Sequence, residues 1–312
     1  MVKKMHLTLQ QLKLFESVFR NGSYTRAAEE LHLTQPAISI QVKRLENQAG
    51  MPLFDHVGKK IYPSAAGKVM YEASQDILNR VTDLSNSIEE LKGVVKGPLL
   101  MSVVTTAKYF MPHLLGSFLQ EYPEVEPKLK FSNRETVVER LMDNIDDFVV
   151  MGQIPDEKKL ESYPFLENIL VPVATPDHPL AGKKNIKLKQ LIKERFLQRE
   201  PGSGTRQAFN RLLKDNGFSI SSYMELGSSE AIKQGVMAGL GLAVMSTHSL
   251  RLEHDTGKLV VLDVEGFPLK RRWFAVHQKG KQLSLTAKTF LDFILKNSHR
   301  VLNIDTSSVD SS

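Results

Sequence analysis

Pro36, Ser39, Ile40 and Lys43 fall on one side of a helical wheel, opposite Ile38, Val42, Leu45 and Ala49, which recur at threes and fours. The second set marks a buried face. The first turns a hydroxyl, an ammonium and a small apolar surface outward, and Gln35 stands at the start of the same helix. Short polar groups of this kind can hydrogen-bond base edges in a DNA major groove. An ordinary antiparallel helix pair has the same apolar spacing, so the pattern leaves both readings open.

Such a helix must be held by another. Ser23 to Leu31 reads as a preceding helix, with Ser23 as its cap and Ala27-Ala28 allowing a neighbour to approach closely. His32-Leu33 break the period. Thr34 then caps the outward-facing helix, with Pro36 in the first turn, where its missing N–H costs nothing. Leu7 to Phe19 reads as a support helix with Leu9, Leu12, Phe15 and Phe19 on one stripe and Asn21-Gly22 ending it. After Gly50, the stretch DHVGKKIYPS reads as a small hairpin turning at Gly58, with Lys59 and Lys60 at its tip.

The run SYTRAAEELHLTQPAISIQVKRLENQAG (Ser23 to Gly50), followed by GMPLFD, resembles the winged helix-turn-helix of the LysR-type transcriptional regulators. The likeness runs almost without a gap from Leu9 to Gly67. It implies that Gln35, Pro36 and Ser39 meet base edges with Lys43 nearby and Thr34 at the helix start. Ser23, Thr25, Lys59 and Lys60 would hold phosphates. Two positions depart from the family pattern. Ile40 stands where many relatives carry a basic residue, which suits a thymine methyl instead. Pro63-Ser64-Ala65-Ala66-Gly67 replaces the common Leu-Thr-x-Ala-Gly, and Ser64 keeps the capping hydroxyl.

Ser64 opens a long helix, Ala65 to about Lys92, on which Val69, Ala73, Ile77, Val81, Leu84, Ile88 and Leu91 form an apolar seam. A small winged domain cannot cover so long a seam, so the helix is suited to pair with a copy of itself. The resemblance implies the same dimer contact, assembly to a homotetramer, and RNA polymerase as a further partner. Gly93 to Pro98 breaks into the next domain.

Beyond it strands and helices alternate, which indicates parallel sheets with helices on both sides. Strands are expected at Leu99–Val104, Lys128–Phe131 and Asp147–Met151, and helices at Tyr109–Glu121 and Glu135–Asp143. Asn168–Ala174 crosses into a second unit, and Arg271–His277 with the helix Leu283–Asn297 returns to the first. The expected fold class is therefore a multi-domain α/β chain. Its parts are a winged helix-turn-helix at 1–64, a linker helix and hinge at 65–96, and a two-lobed, periplasmic-binding-protein-like effector domain at 97–300. Lobe I takes 97–167 and 269–300, lobe II takes 168–268, and 301–312 is a polar tail expected to be disordered.

Open α/β sheets bind ligands beyond the carboxyl ends of their strands, where helix N-termini offer N–H donors. Three places fit. Thr105 and Thr106 follow the first strand, Asn133 and Arg134 precede the second helix, and Ser203, Gly204 and Thr205 sit in a glycine-rich turn before a second-lobe helix. Gly152, after the third strand, leaves room beside them. Singly such residues are more often plain N-caps. Together they favour a small anionic, phosphorylated or carboxylated metabolite. The family resemblance places the inducer at Thr105, Thr106, Gly152, Ser203 and Thr205, whereas Asn133 and Arg134 rest on geometry alone. The runs TTAKYFMPHLL, SNRETVVERL, DDFVVMGQIP and SSEAIKQGVMAGLGLA look like the branch that controls RuBisCO (carbon-fixation) operons, which implies phosphorylated sugars or nucleotides as inducers. Control of another metabolic operon through a carboxylate inducer is the alternative.

Composition narrows the classes. The 312 residues carry a net charge of +6, and residues 1–64 hold nine Lys/Arg against five Asp/Glu, which suits a polyphosphate partner such as double-stranded DNA. With no cysteine there are no disulfides or thiolate metal sites. No apolar run is long enough to span a bilayer and no signal peptide is read, so a cytoplasmic protein without membrane association is expected. G-x-S-x-G, H-E-x-x-H and a Walker lysine are all missing, and His113, His178, His248 and His277 are scattered. No enzyme, cofactor or metal is expected.

Overall fold

Thr8 starts the first helix, α1 (Leu9–Asn21), two residues later than the apolar stripe suggests: its hydroxyl accepts from Gln11 N–H and the Gln11 side chain accepts from Thr8 N–H, each at 3.2 Å. The computed structural model describes residues 5–302 apart from 59, 157 and 158, and it divides into two units, Met1–Leu91 and Lys92–Ser312.

In the first unit Gly22, at φ +56°, ends α1, and Ser23 caps α2 (Tyr24–Leu31). Thr34 occupies the N-cap position of α3 (Gln35–Ala49), yet its hydroxyl makes no capping bond. Phe15, Val18, Ala27, Ile38, Val42 and Leu45 close the core between the three helices. The buried Glu46 carboxylate accepts from Leu53 N–H at 2.9 Å, which satisfies an amide where the chain leaves α3. A hairpin of β1 (Phe54–Val57) and β2 (Lys60–Pro63) follows, turning at Gly58. Ser64 then caps α4 (Ala65–Lys92) by accepting from Gly67 N–H at 3.0 Å. Glycine is required there, because a Cβ on residue 67 would stand 2.1 Å from the Leu53 carbonyl oxygen. Tyr71 stacks on Phe19 with centroids 3.9 Å apart, which ties the start of α4 to this core. Farther along, the seam lies uncovered: all seven of its residues are exposed, up to 88% at Leu91.

The second unit begins with β3 (Gly97–Val104). The expected helix from Tyr109 is instead a 3₁₀ turn, Thr105–Tyr109, a break at Phe110 and then α5 (Met111–Glu121), with Pro112 in its first turn. Next come β4 (Val125–Ser132), α6 (Arg134–Met142), β5 (Phe148–Met151) and the long β6 (Leu160–Ala174). The second lobe holds α7 (Leu188–Leu191), β7 (Leu197–Gln198), α8 (Gly204–Asp215), β8 (Met224–Glu225), α9 (Ser229–Met237), β9 (Ala243–Ser246), α10 (Arg251–Asp255) and β10 (Val260–Val261). The return is β11 (Leu269–Gln278) and α11 (Leu285–Val301). Val301 thus belongs to a helix rather than to a tail, and residues 303–312 lie outside the described residues.

The sheet is mixed, not purely parallel. Its order is β10-β6-β11-β5-β3-β4, with β9 also on β6. β3 runs parallel to β4 and β5, but β6 and β11 pair antiparallel along ten residues of each strand. A chain that leaves one lobe on β6 and returns on β11 must run in opposite directions on neighbouring crossings. Phe110, Phe118, Phe148, Trp273 and Phe290 fill the first lobe, while Phe196, Phe209, Leu213 and Leu242 fill part of the second.

Candidate nucleic-acid interface and ligand cleft

The outer surface of α3 is built as the spacing suggests. Thr34, Gln35, Pro36, Ile40 and Lys43 are exposed and Ser39 is half-buried, all on the face turned away from Ile38, Val42 and Leu45. Lys43 lies 3.2 Å from Glu46, whose other oxygen holds Leu53. Thr25 and Lys60 are exposed, and Ser23 accepts from Arg26 N–H at 3.4 Å. Lys59 lies outside the described residues.

In the second unit a cleft of about 480 Å³ of empty space, counting its open mouth, lies where the two lobes meet. Of the eight ligand-site residues expected from the sequence, seven line it: Thr105, Thr106, Arg134, Gly152, Ser203, Gly204 and Thr205. Asn133 does not. Its side chain accepts from Thr136 N–H at 2.9 Å, so it serves as the plain N-cap of α6. The threonines also differ from expectation, because their hydroxyls are engaged across the lobes. Thr105 Oγ1 accepts from Arg199 at 3.2 Å, and Thr106 Oγ1 lies 3.3 Å from Ser229 Oγ. Ser203 holds the N-cap position of α8 without a side-chain capping bond.

The crossing strands add residues that the sequence reading missed. β6 supplies Asn168 and Leu170, β11 supplies Arg271 and Trp273, and Arg199 and Gln153 come from adjoining loops, while Glu200 opens the glycine-rich turn already expected there. Each strand pair is spaced by two, so both members face the same side of the sheet. The spacing is visible in the sequence, but which face meets the cleft depends on the pairing of β6 with β11. Gly152 makes room for Asn168: a Cβ there would meet Asn168 Nδ2 at 3.0 Å and the Trp273 ring at 3.5 Å.

The cleft is electropositive and unsatisfied. Arg134 Nε, Asn168 Oδ1 and Trp273 Nε1 are buried without a hydrogen-bond partner. Arg271 donates to the Gly204 carbonyl at 2.8 Å, and its guanidinium is held below the usual arginine range by burial and by the charges of Arg211 and Arg134. Two donors left unpaired beside a crowded pair of guanidiniums suit an anion that accepts from them. Among the described residues no cluster of His, Asp or Glu could hold a metal, and no helix is long and apolar enough to cross a membrane.

A winged helix-turn-helix in one unit and a two-lobed anion cleft in the other define a DNA-binding regulator with a sensor domain. Residues 9–68 match the model of the bacterial regulatory helix-turn-helix protein, lysR family, and residues 92–298 match the LysR substrate binding domain. The HTH-type transcriptional activator CmpR of Synechocystis sp. is 44% identical over 94% of this chain and 97% of its own length. The RuBisCO operon transcriptional regulator of Acidithiobacillus ferrooxidans is 46% identical over 93% of this chain and 94% of its own. The solved Synechocystis PCC6803 CcmR regulatory domain in complex with 2-PG is 46% identical, covering 64% of this chain and 96% of that one, with a TM-score of 0.62. Full-length OxyR from Pseudomonas aeruginosa, at 19% identity and a TM-score of 0.75 over 95% of this chain and 96% of that one, shares the fold. The chain belongs to the LysR family of transcriptional regulators.

Proposed function

We propose that this regulator controls a carbon-fixation operon of the RuBisCO type and responds to a small phosphorylated metabolite held in the interlobe cleft. The observation that carries the ligand class is the cleft itself, where Arg134 Nε and Trp273 Nε1 are donors that nothing in the chain accepts from, beside the buried Arg271 guanidinium. The operon assignment rests on the CmpR and RuBisCO-operon relatives, and 2-PG, bound by the CcmR domain, is the first compound to try. Thr105, Thr106, Gly152, Ser203, Gly204 and Thr205 shape the seat around these donors, and Asn133 drops out of it.

On the DNA, Gln35, Pro36 and Ser39 read base edges with Thr34 and Lys43 beside them, while Ser23, Thr25, Lys59 and Lys60 hold phosphates. The bare seam of α4 pairs two chains, and two such dimers make a tetramer that spans a divided operator. Ligand closure shifts the population toward a state with a different spacing of reading heads and a different DNA bend, and RNA polymerase responds to it. The protein works in the cytoplasm and catalyses no reaction. A thermal-shift panel of phosphorylated and purely carboxylated metabolites on the full chain tests the sensor. A rise in melting temperature with 2-PG or a sugar phosphate is expected. Selective response to unphosphorylated carboxylates alone would overturn it.

A further inference from the structure

The cleft holds two kinds of cationic seat. Arg134 and Arg271 form an open one: Arg134 Nε has no partner, and Arg271 donates to the Gly204 carbonyl. Arg199 forms a filled one. It is 8% exposed, and its Nε and one terminal nitrogen donate to the two Glu200 oxygens at 2.8 and 2.7 Å. Its remaining bonds go to Ser229 at 2.8 Å and Thr105 at 3.2 Å. That fork is the edge by which a guanidinium grips a ligand carboxylate or phosphate. Here it already grips a carboxylate of the chain.

Glu200 is placed to let go. Its side chain is 26% exposed, so a released carboxylate reaches water. It begins the turn Glu200-Pro201-Gly202-Ser203, closed by Ser203 N–H on the Glu200 carbonyl at 3.0 Å, and a Cβ on Gly202 would meet nothing within 4 Å. We propose that Glu200 is a resident stand-in for the second anionic end of the effector and thereby sets the specificity of the cleft. A ligand with one anionic end takes Arg134 and Arg271 and leaves the Arg199–Glu200 pair intact. A ligand with two takes Arg199 as well and turns Glu200 out to solvent. Because Arg199 also ties Thr105 of the first lobe to Ser229 of the second, this exchange acts at the lobe junction. The inference rests on the anion-binding reading above and names which anions the cleft separates.

The test compares phosphonoacetate, which carries a phosphonate and a carboxylate, with methylphosphonate, which carries the phosphonate alone. Both are titrated calorimetrically into the full chain, as wild type, Glu200→Gln and Glu200→Ala. Removing the competing carboxylate is expected to tighten phosphonoacetate roughly tenfold in both variants while methylphosphonate stays within about twofold. Equal tightening of both probes would mean that Glu200 acts only as a diffuse charge, and weaker phosphonoacetate binding would mean that it contacts the ligand directly. Either result overturns the inference while leaving the anion site standing. If the wild type binds neither probe nor any phosphorylated compound of the panel, the anion site itself falls and this inference falls with it.

Discussion

The Tyr109 hydroxyl donates to Glu230 Oε2 across 2.9 Å and so joins the 3₁₀ turn after β3 to helix α9 of the second lobe. Lys233, nearly buried, lies 3.0 Å from the same carboxylate and 2.8 Å from Glu253, with its ammonium 5.2 Å from the centre of the Tyr109 ring. Burial and the Glu230 carboxylate push the Tyr109 phenol well above its ordinary range. Tyr109→Phe removes one such bond and should cost about 1 kcal/mol, or a fall of about 2–4 °C in melting temperature. An unchanged Tm would show that the link is idle.

The same carboxylate gives a pH dependence. Glu230 is lowered to about 2 by its bond from Gln234 and then by Lys233 and Tyr109. Its stabilising effect is full above the ordinary glutamate value of 4.5 and is lost as pH falls toward about 2. The melting temperature of the wild type should therefore fall more steeply than that of Glu230→Gln as pH drops below about 4.5. Parallel profiles would remove Glu230 from the account.

Gly67→Ala places a methyl 2.1 Å from the Leu53 carbonyl oxygen, where neither backbone can yield cheaply. A loss above about 3 kcal/mol in the first unit is expected, with DNA binding lost and the ligand-induced thermal shift of the second unit kept. Calorimetry of the full chain with and without 2-PG separates the two.

Gly152→Ala is a milder case. The added methyl meets Asn168 Nδ2 at 3.0 Å, so the amide must move within the cleft. Affinity for the effector should fall roughly tenfold with little change in the unliganded melting temperature. Wild-type affinity would show that Asn168 plays no part.

Leu84→Asp, in the exposed seam of α4, should shift the chain to a smaller species in light scattering, because a charge would replace apolar surface in the proposed helix pair. An unaltered mass would move the dimer contact elsewhere.

The reading helix was legible because its signals are local. Capping at Ser23, Pro36 in the first turn, and Ile38, Val42 and Leu45 at helical spacing all lie within 25 residues of one another, and the structure keeps each. The cleft was legible where it is made of turns before helices and of Gly152 at the end of a strand. Asn168, Arg271 and Trp273 escaped because their orientation depends on how β6 and β11 pair. The first half of β6 escaped too, since Pro164 interrupts its pattern where the pairing with β11 shifts register between Trp273 and Phe274. Asn133 caps α6 and does not line the cleft, and the sequence does not separate the two roles because an N-cap and an anion contact use the same residue types at the same helix end.

The central claim is that one chain both selects a promoter sequence and changes its grip on it when the cleft fills. Footprinting of the full chain on genomic upstream fragments, against bulk competitor DNA and with or without saturating 2-PG, tests it most directly. The predicted result is a protected site that survives competitor, whose length or hypersensitive positions change with ligand and stop changing in Arg271→Met. A footprint that ligand leaves unaltered, or no site preferred over competitor, would contradict it.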